Sequence, residues 1–249
     1  MVRPLCDTLL TDYGRSIGSG SRSRDNQYCE AGMMYYRSQL VPPCNIICLC
    51  LLFVFVFTQT GNAQDRMPAI PESEMTEEQL AAVDEYKQVR NTTRFGGPFV
   101  PLLRSPEVLS RARNLGDHAR FNTVLPPRLS EFVILLTARQ WTQHYEWGAH
   151  ATIAEQEGLH PNIISAVADG RHPADMSTDE SAVYNFCMEL FRTQGVSDPT
   201  YERMVAQFGE KGVIDTIGIM GYYQLLAMVM NTARTPLRDG MLPIPTFPR

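Results

Sequence analysis

From Thr76 onward the chain alternates apolar clusters with short polar breaks, and the apolar positions recur every three to four residues, the period of a helix. Thr76-Glu77-Glu78-Gln79 has the capping-box pattern and leads into Leu80, Val83 and Tyr86. Ser105-Pro106 predicts a second helix to about Phe121, with serine as its cap and proline in its first turn. Pro126-Pro127 predicts a third, to about Gln140, and its run Phe132–Leu136 means burial nearly all round. Further helices are expected over Gln143–Gly158, His160–Asp169, from Ser177-Thr178-Asp179-Glu180 through Phe191, from Asp198-Pro199 to about Gly209, and over Val213–Ala233. Asn91–Leu103, broken by Gly96-Gly97-Pro98 and Pro101, reads as an extended loop. Strand signals are nearly absent, so the expected fold class is all-α.

The last helix admits a second reading. From Val213 to Met230 only Asp215, Thr216 and Gln224 are strongly polar, which approaches the composition of a membrane span. Those polar residues, with Gly218 and Gly221, favour a helix packed between others. Pro236, Pro243, Pro245 and Pro248 make residues 236–249 an extended arm, expected to lie over a neighbouring subunit.

The start of the chain follows different rules. Twelve consecutive apolar residues, Ile46–Phe57, are too few for a bilayer, which needs roughly 20, but fit the apolar region of a secretory signal. Gly61 and Ala63 place small residues before a cut after Ala63, and Arg37 supplies the positive flank. Residues 1–32 are polar and aperiodic, and are expected to be a disordered or misassigned extension, with Met33 or Met34 as the start of a signal peptide over 33–63. The alternative is a genuine tail followed by a signal anchor. The working protein is then 64–249, periplasmic or secreted, with no stable membrane span once the signal is removed. It comprises a helix and linker (64–91), a helical domain (92–235) and the arm.

Charge and cysteine sharpen that division. The 249 residues carry a net charge of −5, but residues 1–63 hold five arginines against four acidic residues, leaving 17 basic and 23 acidic in the remainder. No basic surplus exists to hold a phosphate backbone, so no nucleic-acid partner is expected. Five of the six cysteines precede residue 64 and only Cys187 follows, which excludes an intrachain disulfide framework in the exported part. Glycine-rich phosphate loops, the Gly-x-Ser-x-Gly elbow, Cys-x-x-Cys and the common zinc patterns are all missing.

Candidate chemistry concentrates in Arg139–His150, which holds both tryptophans and two of the five histidines. On a helix, Gln143, Glu146, Trp147 and His150 fall within an arc of about 100°. Glu146 and His150 are i,i+4 neighbours, and a carboxylate bonded to an imidazole fixes its tautomer and raises its basicity. Such a pair serves as a general acid or base. An ordinary surface Glu–His pair over a structural tryptophan has the same spacing.

Several motifs agree in order with a known family. Leu129-Ser130-Glu131, Ala138-Arg139-x-Trp141 and Glu146-Trp147-x-x-His150-x-x-x-Ala154-x-x-x-Gly158, with Gly97-Pro98-Phe99-Val100-Pro101 upstream and Gly221-Tyr222-Tyr223 downstream, resemble the carboxymuconolactone decarboxylase family. The resemblance spans about 92–235. It implies an all-α, alkylhydroperoxidase D-like helical bundle, a homo-oligomer (trimer or hexamer), a small-molecule substrate and no cofactor or metal. The family's peroxidase branch carries a glutamate, a Cys-x-x-Cys and a histidine. Its glutamate and histidine fall on Glu131 and His150, while the cysteine positions fall on Gln143 and Glu146. Thiol peroxidase chemistry, which needs an attacking thiolate and a resolving thiol, is therefore disfavoured.

The decarboxylase branch is similar to this chain in placing Glu-Trp-x-x-His there. It implies a cofactor-independent lyase or isomerase acting on a small carboxylated lactone or enolisable acid. His150, Glu131 and Glu146 would be catalytic, and Arg139, Gln143, His144, Tyr145 and Trp147 would contact substrate. A non-catalytic or metal-assisted binding protein on the same scaffold is the alternative.

Overall fold

The computed structural model describes residues 64–246. The expected extension and signal peptide lie outside the described residues. Eight α-helices follow in order: α1 Glu77–Val89, α2 Phe99–Leu102, α3 Pro106–Phe121, α4 Pro127–Gln140, α5 His144–Gln156, α6 Pro161–Ala168, α7 Thr178–Thr193 and α8 Asp198–Ala233. Among the described residues there is no strand.

The centre of the bundle is α4. Every residue from Leu129 to Arg139 is buried, and α3, α5, α6, α7 and α8 all pack against it. Burying a side chain such as Phe132, Ile134 or Leu135 contributes about 1.5–3 kcal/mol, so the unbroken apolar run forces this helix to the middle. Two helix starts carry the expected capping boxes, whereas Ser105 makes no side-chain cap bond at α3. The capping box at Thr76 is complete, with Gln79 N–H donating to Thr76 Oγ1 and Thr76 N–H to Gln79 Oε1. At α7, Ser177 N–H donates to Glu180 Oε2 at 2.7 Å. Arg128 then ties α4 to α7 through Asp179 and Glu180.

Three features differ from the expected elements. Phe99–Leu102 forms a short helix inside the expected loop, because Pro98 and Pro101 hold backbone angles that a helical turn accepts. The two expected C-terminal helices form one element, α8, with a break where predicted: Gly209 has φ 66° and ψ 177°. The arm packs in part on its own chain. Ile244 is 1% exposed, and a Cβ on Gly148 of α5 would lie 3.0 Å from the Leu242 carbonyl oxygen.

Helix α8 is long and apolar enough to span a membrane by length and composition, but 56% of its most apolar stretch is buried against the rest of the protein. Its neighbours are α2, α3, α4 and α7. Asp215 fixes it to the end of α3, accepting from His118 Nε2 at 3.0 Å, Val124 N–H at 2.9 Å and Lys211 Nζ at 2.7 Å. Where α3 meets α8, Gly116 leaves room for the ring of Tyr222: a Cβ there would lie 2.3 Å from Tyr222 Cζ.

Candidate active site

Glu131 lies in the second turn of α4, while Glu146 and His150 lie one helical turn apart on α5. The close packing of these two helices brings the three together. Glu131 Oε2 accepts from His150 Nδ1 at 2.6 Å, and Glu146 Oε2 lies 3.4 Å from Nε2 of the same ring. All three residues are buried. Arg120, from the last turn of α3, extends the row, with its Nη2 3.7 Å from Glu131 Oε1. Charges therefore alternate along a short line: guanidinium, carboxylate, imidazole, carboxylate.

Burial is the largest single influence on the His150 imidazole and would push its pKa down. The hydrogen bonds and charges of Glu131 and Glu146 outweigh it, so the net shift is upward. Two carboxylates clasping a buried imidazole favour its protonated form, the form that can act as an acid. Glu146 Oε1 is buried with no hydrogen-bond partner among the described residues. Such an oxygen is costly unless a ligand or water satisfies it.

Arg120, Glu146 and His150 line a cavity of about 750 Å³, with Glu131 bonded to His150 behind its wall, and that volume is within the range that small-molecule sites occupy. Tyr222 and Tyr223 of α8 line it, and Tyr223 meets the His150 ring edge-on at 5.2 Å. Burial drives both phenols well above their ordinary pKa, so they stay neutral. Four arginines, Arg90, Arg94, Arg120 and Arg238, line the same space. Volume alone does not select this site. A hollow of about 840 Å³ bordered by α7 and α8 is larger, but its His172 is exposed and no buried carboxylate meets it.

The residues expected to contact substrate divide. Tyr145 lines the cavity. Gln143 instead caps α5, its Oε1 accepting from Tyr145 N–H at 2.6 Å and its Nε2 donating to Asn231. Trp147 is buried in the hydrophobic core. Arg139 points to the other side of α4, donating to the carbonyls of Ala168 and Pro245 and to Thr142 Oγ1. Neither it nor His144 lines the cavity; burial, then the charge of Arg139, lowers the His144 pKa. Cys187 lies on α7, 0% exposed and away from the cavity, and burial pushes its thiol far above the ordinary range. Among the described residues no group of acidic, histidine or cysteine side chains is placed to hold a metal ion.

No protein-family model and no curated protein matches the chain. A crystal structure from Ralstonia eutropha JMP134, described as an alkylhydroperoxidase AhpD core and an uncharacterized peroxidase-related protein, matches with a TM-score of 0.56 at 18% identity. The match covers 70% of this chain and 92% of that one. The fold is alkylhydroperoxidase D-like. At this identity the likeness speaks for the architecture alone, and the chemistry rests on the side chains.

Sequence reasoning missed the four arginines of the cavity. Arg90 is the C-cap of α1 and Arg120 sits in the last turn of α3, places where a basic residue is unremarkable. Arg94 and Arg238 sit in connecting segments. The only available signal was their number: four of the 17 basic residues of an acidic domain converge on one space.

Proposed function

We propose that this protein is a cofactor-independent lyase or isomerase of the carboxymuconolactone decarboxylase type, acting on a small carboxylated lactone or related enolisable acid. The observation that carries this reading is His150 held between Glu131 and Glu146 on the wall of an arginine-lined cavity. In the decarboxylation such a site favours, the bond between carbon and the leaving carboxylate breaks and its electron pair moves into the conjugated carbonyl, giving an enolate and CO₂. A guanidinium facing the cavity stabilises the developing oxyanion. The His150 imidazolium delivers its proton to carbon and is recharged from solvent. The sum is substrate anion plus one proton going to product and CO₂, with no electron acceptor.

A thiol peroxidase reading has no support in these side chains, since Gln143 and Glu146 stand where the thiols would be and Cys187 is buried. The test is turnover of a panel of carboxylactones by the purified protein, followed as product formation and CO₂ release. Turnover lost in His150→Gln is expected. No turnover across the panel, activity unchanged in His150→Gln, or peroxide reduction abolished by Cys187→Ser would each overturn the reading.

A further inference from the structure

Two segments outside the long helices contribute cations to the cavity. The loop before α2 brings Arg94 and the arm after α8 brings Arg238. The other two arginines of the cavity are engaged by carboxylates: Arg90 pairs with Asp117 at 2.7 Å, and Arg120 faces Glu131. Arg94 and Arg238 have no carboxylate within ion-pair distance among the described residues, and both are exposed.

The Arg238 side chain and the loop that bears Arg94 are nonetheless both fixed against one ring. Tyr145, itself lining the cavity and only 8% exposed, is the post between the two segments. The guanidinium carbon of Arg238 lies 5.3 Å from the centre of the Tyr145 ring, a favourable cation–π arrangement. In the Arg94 loop, Gly97 takes φ +61° and packs so closely on the phenol that a Cβ would lie 2.7 Å from Tyr145 Oη. Beyond Arg238 the arm is pinned by buried Ile244 and by Arg139, which donates to the Pro245 carbonyl at 2.7 Å. An arm tied down on one side of Arg238, with the arginine laid on a fixed ring, holds a cation in one place over an open cavity.

We propose that Arg94 and Arg238 are the specificity-determining residues of this cavity, clamping a carboxylate of the substrate that takes no part in the bond cleavage at His150. The proposal rests on the reading of the cavity as the reaction site, but it concerns recognition. The guanidinium pair selects for an anion, and the rings of Tyr145, Tyr86 and Phe95, all lining the same space, select for a small flat body.

The test is calorimetric titration of the protein with benzoate, phthalate and muconate, each beside its uncharged amide. Carboxylates are expected to bind at least about tenfold more tightly than the amides, with the advantage shrinking in high salt. Arg238→Gln and Arg94→Gln should each remove much of that advantage without changing amide binding, and Arg238→Lys should restore part of it. His118→Gln, which alters a position outside the cavity, should bind the carboxylates as the unaltered protein does. Equal affinity for acids and amides, or an Arg94→Gln/Arg238→Gln double variant that binds acids unchanged, overturns the clamp. Binding with these properties but no lactone turnover would leave the clamp standing and remove the proposed reaction. Lactone turnover undiminished in the double variant would do the reverse.

Discussion

Among the described residues two histidines meet carboxylates in ways that look alike in chemistry and differ in everything around them. At the end of α3, His118 meets Asp215, and at the interface of α4 and α5, His150 meets Glu131. Asp215 has both oxygens occupied: burial would raise its pKa, but its bonds from Lys211, His118 and the Val124 amide hold it below the usual carboxylate range. The His118 side chain is 47% exposed. His150 is buried, faces a cavity, and has beside it a second carboxylate with one oxygen unsatisfied. A closed set of bonds locks two elements together, whereas a set left open toward a cavity is available to a ligand. Hydrogen-bond completeness separates the structural pair from the candidate active pair.

The contrast breaks most sharply by removing each histidine. His150→Gln is expected to lower kcat/KM for a carboxylactone by about 10²–10⁴-fold, the usual worth of general acid catalysis, with the helical circular dichroism unchanged. His118→Gln should stay within about twofold of the unaltered protein in the same assay, since it alters a partly exposed position away from the cavity. If the two variants lose activity equally, the distinction fails.

Next in size are two stability effects. Asp215→Asn should cost about 1–3 kcal/mol in urea unfolding while leaving turnover per folded molecule intact. A depressed pKa means that the Asp215 contribution is present above the ordinary carboxylate pKa and fades as pH falls through its lowered value. The stability deficit of the variant relative to the unaltered protein should therefore narrow only in acid. Gly116→Ala places a methyl against the Tyr222 ring, and overpacking of this kind costs about 1–3 kcal/mol. Because Tyr222 lines the cavity, this substitution should also raise KM, which Asp215→Asn should not.

The smallest expected effects lie in the pH profile. As an acid, His150 must be protonated, so activity should fall as pH rises through a pKa above the ordinary histidine value. Glu131→Gln should move that alkaline limb to lower pH, and Glu146→Gln should move it less, since 3.4 Å replaces 2.6 Å. The stability linked to His150 has the same sign: present below the unfolded pKa, it is lost as pH rises through the folded one. A limb unmoved in both variants would mean that neither carboxylate sets the acid.

Much of this was legible in the residues, for physical reasons. Caps and apolar period act within a few residues, so the boundaries of α3, α4 and α7 could be read closely, as could the break at Gly209. Helix α2 was not, because Gly96-Gly97-Pro98 signals a turn whether or not four helical residues follow. Glu146 and His150 were readable as i,i+4 neighbours. Glu131 came only through the family resemblance, since nothing local links it to a histidine 19 residues away. Arg139 was placed at the substrate because it stands close to the motif in sequence. On a helix, eight residues from Glu131 is a rotation of about 80°, enough to turn it out of the cavity and toward α6. The cavity arginines are brought together by tertiary packing alone, and no window of sequence contains them.

The bond from Arg139 to Pro245 spans 106 positions and joins a residue of the central helix to the arm. Loss of the arm would remove one of the acceptors of a buried guanidinium, and loss of that guanidinium would untether the segment bearing Arg238. Arg139 and the arm should thus behave as one heritable trait. Among homologous chains, arginine at this position is expected to be kept where a proline-rich tail folds back and to vary where the chain stops short.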